Sequence, residues 1–412
     1  MQKVLFIGVN WPEPSTAAGT RIMQLIHTFI ANDYKVTFSS TATESELSYK
    51  LELLKVSKVP ITLNDSSFDD FIKALQPNIV VYDRFLTEEQ FGWRIAENAP
   101  NALRILDTED LHSLRTVRLS LFKKGIPFST DKWLKEESTK REIASMYRCD
   151  MSLIISSFEM QLLKDNLKLD DSLLLYLPFM VEEVSKTEFK TYPAFEKRKD
   201  FICIGNGKHA PNVDAVLWLK STIWPLIRKQ LPESNLHIFG SYLPQQIVQM
   251  HKPEEGFYVE GYTNTLKEVF TECRINLAPL RFGAGLKGKL IDGMRFGTPS
   301  ITTPIGVEGM AEGLPFNGTV AANENDFANE AVALYNSKDR FVLAQENGLK
   351  ILKQVYNSKI LSEKLIHRII EIQSNMAKHR GSNFIGSLLM HQSMQSNKYM
   401  SKWIEAKNAK GN

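Results

Sequence analysis

The sequence predicts an α/β protein made of two Rossmann-like, doubly wound domains that face a cleft. Short apolar runs alternate with amphipathic segments, as expected for a parallel sheet flanked by helices. The alternation stops in the polar segment 189–200 and then starts again. A chain of 412 residues also exceeds what one hydrophobic core usually supports. We therefore expect two consecutive α/β domains.

Residues 1–188 are predicted to form the first domain. It begins with the apolar run Val4–Val9, which is too short for a signal peptide and is typical of a buried strand. The further predicted strands are Lys35–Ser39, Asn78–Tyr82, Ala102–Leu106, Met151–Ile155 and Leu173–Leu177, and the predicted helices are Arg21–Asn32, Phe68–Leu75 and Glu88–Asn98.

Residues 201–380 are predicted to form the second domain, after a linker at 189–200 that is charged and contains Pro193. The last segment, 381–412, is predicted to be helical and to pack back on the first domain. The predicted strands of the second domain are Phe201–Gly205, Leu236–Gly240, Gly256–Glu260, Ile275–Leu280 and Pro299–Thr303, and its predicted helices are Asp214–Lys229, a helix after Pro244, Leu266–Glu272 and Lys289–Phe296.

The most informative stretch runs from Leu280 to Met294, between a predicted strand and a predicted helix. Gly283 and Gly285 supply flexible backbone, and Lys287 and Lys289 supply two cations at the helix start. The N–H groups of a helix start bind anions, and lysines complement a phosphate. The stretch therefore predicts a phosphate site beyond the carboxyl ends of parallel strands.

Lys289 and Asp292 are three residues apart, so they lie on one face of the predicted helix. We assign the lysines to phosphates and Asp292 to ribose hydroxyls, because a carboxylate facing a phosphate would repel it. The alternative is a surface loop with solvated lysines and an Asp that favours the helix start. The paired glycines and the flanking strands favour a ligand site.

Composition narrows the function classes. A net charge of +3, without zinc-finger or RNA-binding signatures, argues against a nucleic-acid partner. No apolar run is long enough to span a membrane. The three cysteines, Cys149, Cys203 and Cys273, are odd in number and far apart, which is typical of reduced thiols in a cytoplasmic protein.

Four stretches occur in the order found in a known family: Asp107–Arg115, Gly205–Ala215, Arg281–Met294 and Thr302–Gly309. With them the chain resembles the bacterial family-4 retaining glycosyltransferases, which have the GT-B fold, in their variant with a glycine-alanine-glycine-x-lysine loop. The resemblance implies transfer of a sugar from a nucleotide-sugar donor to a glycan, a lipid-linked acceptor or another hydroxyl acceptor in bacterial glycan biosynthesis. It implies no cofactor and no metal, and a donor bound mainly by the second domain.

The resemblance also implies individual roles. Asp292 stands where an acidic residue binds the donor ribose, whereas Ala284 replaces the first Glu of the pair that many relatives carry. Relatives with the glycine-alanine-glycine-x-lysine loop share this departure. The donor-binding residues predicted in this way are Gly19, Gly205, Asn206, His209, Gly240, Tyr262, Arg281, Gly283, Ala284, Gly285, Lys289, Asp292 and Glu308.

Four residues are predicted to be catalytic. Lys287 and Lys208 would stabilise the negative charge that grows on the departing diphosphate. Glu109 and His112, in a loop after a predicted strand, would position the acceptor hydroxyl or accept its proton.

Simpler interpretations stay open for several of these residues. An exposed lysine in a turn explains Lys208, a surface histidine explains His112, and a solvated glutamate explains Glu308. The glycines at the strand ends, such as the one before Tyr262, are equally explained as ordinary turn glycines. Thr20, next to Gly19, is equally typical of a helix N-cap.

Basic and apolar residues alternate between 115 and 148, which is compatible with peripheral contact with the cytoplasmic membrane face, although a solvated amphipathic helix is the commoner structure. Two further functions also stay open. One is a nucleotide-sugar epimerase on the same scaffold, and the other is a non-catalytic nucleotide-sugar-binding protein, which Ala284 slightly favours. The nucleotide base, the sugar, the acceptor and the oligomeric state are not predicted.

Overall fold

The computed structural model describes residues 1–410, and the chain divides into two compact units. Unit 1 comprises Met1–Val117, Phe128–Met180 and the chain from Lys359 onward. Unit 2 comprises Arg118–Pro127 and Val181–Ser358. Each unit contains one parallel sheet with helices, which confirms the predicted α/β class with two Rossmann-like domains.

Unit 1 is built on a seven-stranded sheet in the order β3-β2-β1-β4-β5-β6-β7. Every pairing is parallel, and the register places Asp83 beside Asp107 where β4 and β5 end. Helix crossovers between parallel strands produce this arrangement. The strands are β1 Lys3–Gly8, β2 Lys35–Ser40, β3 Ser57–Pro60, β4 Ile79–Asp83, β5 Leu103–Asp107, β6 Met151–Ile154 and β7 Leu174–Tyr176.

The helices of unit 1 cover this sheet, and the last ones come from the carboxyl-terminal part of the chain. Leu365 and Ile369 of α17 are fully buried in the same core as Leu25 of α1 and Ile105 of β5. The helices are α1 Ala17–Ala31, α2 Ser67–Leu75, α3 Arg84–Asn98, α4 His112–Lys123, α5 Thr130–Lys135, α6 Glu137–Arg148, α7 Ser157–Leu167, α17 Ser358–Ser374, α18 Met376–Ser382 and α19 Phe384–Lys410.

Unit 2 contains a six-stranded sheet in the order β10-β9-β8-β11-β12-β13, again with parallel pairing throughout. Trp224, Leu277 and Phe327 are buried in its separate core. The strands are β8 Lys199–Ile204, β9 Leu236–Phe239, β10 Phe257–Gly261, β11 Cys273–Ala278, β12 Ser300–Thr302 and β13 Gly318–Val320.

The helices of unit 2 follow its strands, and α9 continues into α10 through a π-helical turn, Leu219–Ile223. Three of these helices have only four residues each. The helices are α8 Lys186–Phe189, α9 Ala210–Trp218, α10 Trp224–Gln230, α11 Gln245–Val248, α12 Leu266–Glu272, α13 Gly288–Arg295, α14 Pro304–Val307, α15 Glu324–Asn336 and α16 Lys338–Val355.

The units are bounded differently from the predicted domains. The chain enters unit 2 at Val181 rather than at 201, and it returns to unit 1 at Lys359 rather than at 381. The segment 189–200, predicted to be a linker, belongs to unit 2, because Arg198 is fully buried and donates to the Phe296 carbonyl oxygen. Within the predicted segment 381–412, α19 packs on α3 and α6, and Gly411 and Asn412 lie outside the described residues.

In residues 1–410 no helix has the length and apolar character needed to cross a membrane. The three cysteines are buried free thiols.

Candidate active site

The glycine loop lies between β11 and α13, as the sequence predicts, at the carboxyl edge of the sheet of unit 2. Gly283 and Gly285 have φ angles of +144° and +64°, which residues with a Cβ rarely adopt. Ala284 between them is buried. The loop conformation therefore requires both glycines.

Both lysines of this loop turn inward. Lys287 is 7% exposed, and its Nζ donates to the Gly285 carbonyl oxygen at 2.6 Å. Lys289 donates from Nζ to Asn212 Oδ1 at 2.8 Å, and burial lowers the pKa of its ammonium group. Lys287 is also the N-cap of α13, without a side-chain cap bond. Two cations and the first amides of a helix thus lie together at one strand end.

Asp292 lies on α13 three residues after Lys289 and is half-buried. Burial raises the pKa of its carboxyl group to about 6. The next residue, Gly293, lets the helix approach β12 closely, since a Cβ there would lie 2.9 Å from both Ser300 Oγ and the Thr298 carbonyl oxygen. This close packing fixes the position of Asp292 against the sheet.

The loop after β8 forms the next part of the site. A Cβ on Gly207 would lie 2.2 Å from the Tyr242 carbonyl oxygen, and one on Gly240 would lie 2.0 Å from the Gly205 carbonyl oxygen, so these strand ends touch through backbone. Asn206 donates from Nδ2 to Ser241 Oγ at 3.0 Å. The close approach explains why glycines follow β8 and β9.

Asn212 joins this loop to the glycine loop, a role that sequence reasoning missed. Its Nδ2 donates to the Asn206 carbonyl oxygen at 3.0 Å, while its Oδ1 accepts from Lys289. His209 is the N-cap residue of α9. The Nζ of Lys208 lies 3.5 Å from the centroid of the Tyr242 ring, a cation–π contact on the surface of the loop.

Arg281 anchors the glycine loop inside unit 2. Its Nε and terminal nitrogen donate to the two carboxylate oxygens of Asp214 at 2.9 and 2.6 Å. The guanidinium also stacks on Phe122 and Trp218, at 4.8 and 5.0 Å from the ring centroids. Tyr262 follows Gly261 at the end of β10 and is 46% exposed.

Glu308 follows α14 and pairs with Arg118, another residue that sequence reasoning missed. The two carboxylate oxygens accept from two nitrogens of the Arg118 guanidinium at 2.6 and 2.9 Å. The partners are 190 positions apart in the chain, so no local spacing predicts the contact.

In unit 1, Gly19 lies in the first turn of α1, where a Cβ would lie 2.0 Å from the Glu13 carbonyl oxygen. Its N–H donates to the side chain of Thr16, which is the N-cap of this helix. Thr20, for which a capping role was open, lies inside the helix and donates to the Pro14 carbonyl oxygen.

Glu109 lies in the loop between β5 and α4 and adopts a φ of +63°, although it is not a glycine. It is buried, and its Oε1 has no hydrogen-bond partner within residues 1–410. Burial, reinforced by Asp107 and Asp83, raises the pKa of its carboxyl group well above the usual value. Burial therefore favours the neutral, protonated form of Glu109.

His112 begins α4 in the same loop, with its Nε2 3.8 Å from Asp110 Oδ1. Two buried glutamates hold this loop: Glu142 accepts from the backbone N–H groups of His112 and Ser113, and Glu159 accepts from Leu111 N–H. The loop is thus fixed by carboxylates that lie far away in sequence.

The structure therefore brings the predicted residues together in two groups. The group in unit 2 surrounds the carboxyl ends of neighbouring strands and contains Lys208, Gly205, Asn206, His209, Gly240, Tyr262, Arg281, Gly283, Ala284, Gly285, Lys287, Lys289, Asp292 and Glu308. The group in unit 1 contains Gly19, Glu109 and His112. The roles of all these residues stay predictions.

Two parallel Rossmann-like sheets, each covered by helices, have the architecture of the GT-B fold. Residues 198–337 match the family model for glycosyl transferases group 1. An uncharacterized 44.6 kDa protein in the cps region of Klebsiella pneumoniae is 22% identical over 87% of this chain and 97% of its own.

Solved structures confirm the fold. A mutant of TarM from S. aureus, in complex with Fondaparinux, alpha-GlcNAc-glycerol and UDP, superposes with a TM-score of 0.68 at 10% identity, over 89% of this chain and 99% of its own. Sucrose-phosphate synthase from Thermosynechococcus elongatus gives 0.66 at 14% identity, over 91% and 100%. HepE from Anabaena, in complex with UDP and glucose, gives 0.66 at 10% identity, over 90% and 99%.

Proposed function

We propose that this protein is a retaining glycosyltransferase that moves a sugar from a nucleotide-sugar donor to a hydroxyl group of a glycan or lipid-linked acceptor, without a metal. The observation that carries the proposal is the glycine loop, where Lys287, Lys289 and the start of α13 lie at most five residues before Asp292. The match of residues 198–337 to group 1 glycosyl transferases supports it.

The chemistry follows from the charges. When the bond between the anomeric carbon and the diphosphate breaks, negative charge grows on the leaving oxygen, and fixed cations and amide dipoles stabilise it. Lys287 supplies such a cation once its ammonium leaves the Gly285 carbonyl oxygen for the phosphate. Asp292, ionised above a pKa of about 6, accepts hydrogen bonds from the ribose hydroxyls.

For the acceptor, the proposal gives different roles to Glu109 and His112, which lie in one loop of unit 1. Burial raises the pKa of the Glu109 carboxyl group, and in its protonated form Glu109 donates a hydrogen bond that orients a sugar hydroxyl. His112 accepts the proton that the acceptor hydroxyl loses. A cytoplasmic location, peripheral membrane contact and a role in polysaccharide biosynthesis stay predictions of this proposal.

The test starts with donor selection. Among the nucleotide sugars screened, we expect UDP-sugars to bind, because the TarM and HepE structures contain UDP. Donor binding raises the melting temperature of the folded protein, and transfer is then measured over an acceptor panel with retention of the anomeric configuration.

The matched variants are Lys287→Ala and Asp292→Ala, which should abolish transfer in folded protein. Lys338→Ala is the control, since Lys338 is an exposed lysine of unit 2 that pairs with Glu196 at the surface. Full transfer by either site variant would refute the assigned roles. Conversion of the donor alone into its C2 epimer would instead identify an epimerase.

A further inference from the structure

Arg118 forms hydrogen bonds to two parts of the candidate donor site. It lies in the second half of α4, within the segment 118–127 that belongs to unit 2, and its side chain is 5% exposed. One terminal nitrogen donates to the Gly283 carbonyl oxygen at 2.8 Å and to Glu308 Oε2 at 2.6 Å, and the other donates to Glu308 Oε1 at 2.9 Å. This is a charge-assisted fork on a carboxylate, with a backbone carbonyl as third acceptor.

The two acceptors come from neighbouring strand ends. Gly283 belongs to the loop after β11, and Glu308 follows the short helix after β12. One turn beyond Arg118, Phe122 packs against Phe282 with ring centroids 4.8 Å apart, and Arg281 lies over the same Phe122 ring. The segment 118–122 therefore holds the stretch Arg281–Gly283 from one side.

The bond to Gly283 sets the direction of the next amide. In a planar trans peptide the carbonyl and the following N–H point in opposite directions, so a Gly283 carbonyl that faces Arg118 turns the N–H of Ala284 away from Arg118. Gly283 has no Cβ and a φ of +144°, so without a partner this peptide would rotate easily.

The bond to Glu308 sets the local charge. Both oxygens of Glu308 are occupied by Arg118, and its side chain is only 18% exposed, so its negative charge is compensated within the protein. If Arg118 were removed, a poorly solvated carboxylate would remain beside a loop that is proposed to bind a diphosphate.

From these contacts we infer that Arg118 is a positioning residue for the diphosphate of the donor, and that Glu308 acts through Arg118 rather than by touching the donor. Arg118 fixes the loop amides in the direction that the phosphates need, and it neutralises the Glu308 carboxylate. The inference rests on the proposed function only in that a nucleoside diphosphate binds this loop; it does not depend on transfer.

The experiment measures the binding of UDP, GDP and uridine by calorimetry to the full chain and to four variants: Arg118→Ala, Arg118→Lys, Glu308→Gln and the double variant Arg118→Ala with Glu308→Gln. We expect Arg118→Ala to weaken the binding of the diphosphate at least about tenfold, as for loss of a charge-assisted contact, while uridine changes less than about twofold. Arg118→Lys keeps the charge without the fork and should give an intermediate loss.

The double variant separates the effect of the Glu308 charge from the effect of the loop conformation. Because it removes the uncompensated carboxylate as well, it should bind the diphosphate more tightly than Arg118→Ala alone. Arg340→Ala is the control, since Arg340 also pairs with a glutamate of unit 2, at the surface, and should leave binding unchanged. The melting temperature of each variant shows whether it is folded.

Unchanged diphosphate affinity in a folded Arg118→Ala variant would overturn the inference and leave the proposed function standing. An equal loss for uridine and UDP would also overturn it, because a general loosening of unit 2 would then explain the effect. If the unsubstituted protein bound neither UDP nor GDP, the proposed donor would be refuted and this inference with it.

Discussion

Replacing Glu142 by glutamine should change how the stability of the protein depends on pH. Glu142 lies in α6 with 2% of its surface exposed. Its Oε1 accepts from His112 N–H at 2.9 Å, and its Oε2 accepts from Ser113 N–H at 3.1 Å and from Ser113 Oγ at 2.6 Å. Trp133 donates its indole N–H to Ser113 Oγ at 2.8 Å, which directs the Ser113 hydroxyl toward the carboxylate.

Burial outweighs these hydrogen bonds and raises the pKa of the Glu142 carboxyl group from 4.5 to about 7. In the unfolded chain the group releases its proton at the lower value, so between the two pKa values only the folded protein holds the proton. The stabilisation is then fully present below pH 4.5 and is lost as the pH rises through 7. A gap of about 2.5 pH units, at about 1.4 kcal/mol each, amounts to about 3 kcal/mol.

The assay follows unfolding of the original protein and of Glu142→Gln at several pH values between 4 and 8. Because glutamine does not titrate, the free energy of unfolding of the variant should gain about 3 kcal/mol relative to the original protein over this range. Glu137→Gln, on the same helix with an 80% exposed side chain, should show no such change and is the matched control. Parallel pH curves for the original protein and Glu142→Gln would refute the reasoning.

Two further substitutions test other parts of the structure. Because burial raises the pKa of Asp292 to about 6, UDP affinity should fall as the pH drops from 8 to 5 in the original protein but stay level in Asp292→Asn, as calorimetry at both pH values would show; equal slopes would contradict the ribose role. Leu365→Ala in α17 should cost unit 1 about 2 to 5 kcal/mol in the free energy of unfolding, since Leu365 is fully buried, while UDP affinity stays unchanged. A parallel loss of UDP binding would show that the two effects are not separable.

The sequence predicted the central strands well because strands buried on both faces are apolar throughout. Val4–Val9 and Ala102–Leu106 shifted by only one residue in the structure. The strands it missed, Ser57–Pro60 and Gly318–Val320, lie at edges of the two sheets and contain no buried residue. Edge strands carry few buried apolar side chains, so they leave no hydrophobic pattern to detect.

In the candidate site, too, some features could be predicted from the sequence and others could not. The glycine loop was predictable because positive φ angles demand glycine at fixed positions near a helix start, as at Gly283 and Gly285. The hydrogen bonds of Asn212 with Lys289 and of Arg118 with Glu308 were not predictable, because they depend on where the folded chain places a distant partner. The burial of Lys287 was not predictable either, because it depends on packing in the folded chain. Burial likewise raises the pKa of Glu109, and burial is a property of the fold.

Unit 1 is formed by separate segments of the chain, which affects the order in which the two units can fold during translation. All seven strands of its sheet lie before residue 177, yet Leu361, Leu365, Ile369 and Ile372, which close its core, are translated after the whole of unit 2. A ribosome-bound chain can therefore complete unit 2 while the core of unit 1 still lacks these four side chains. We expect a chain that ends near residue 358 to leave this apolar surface uncovered and to aggregate more readily than the full chain.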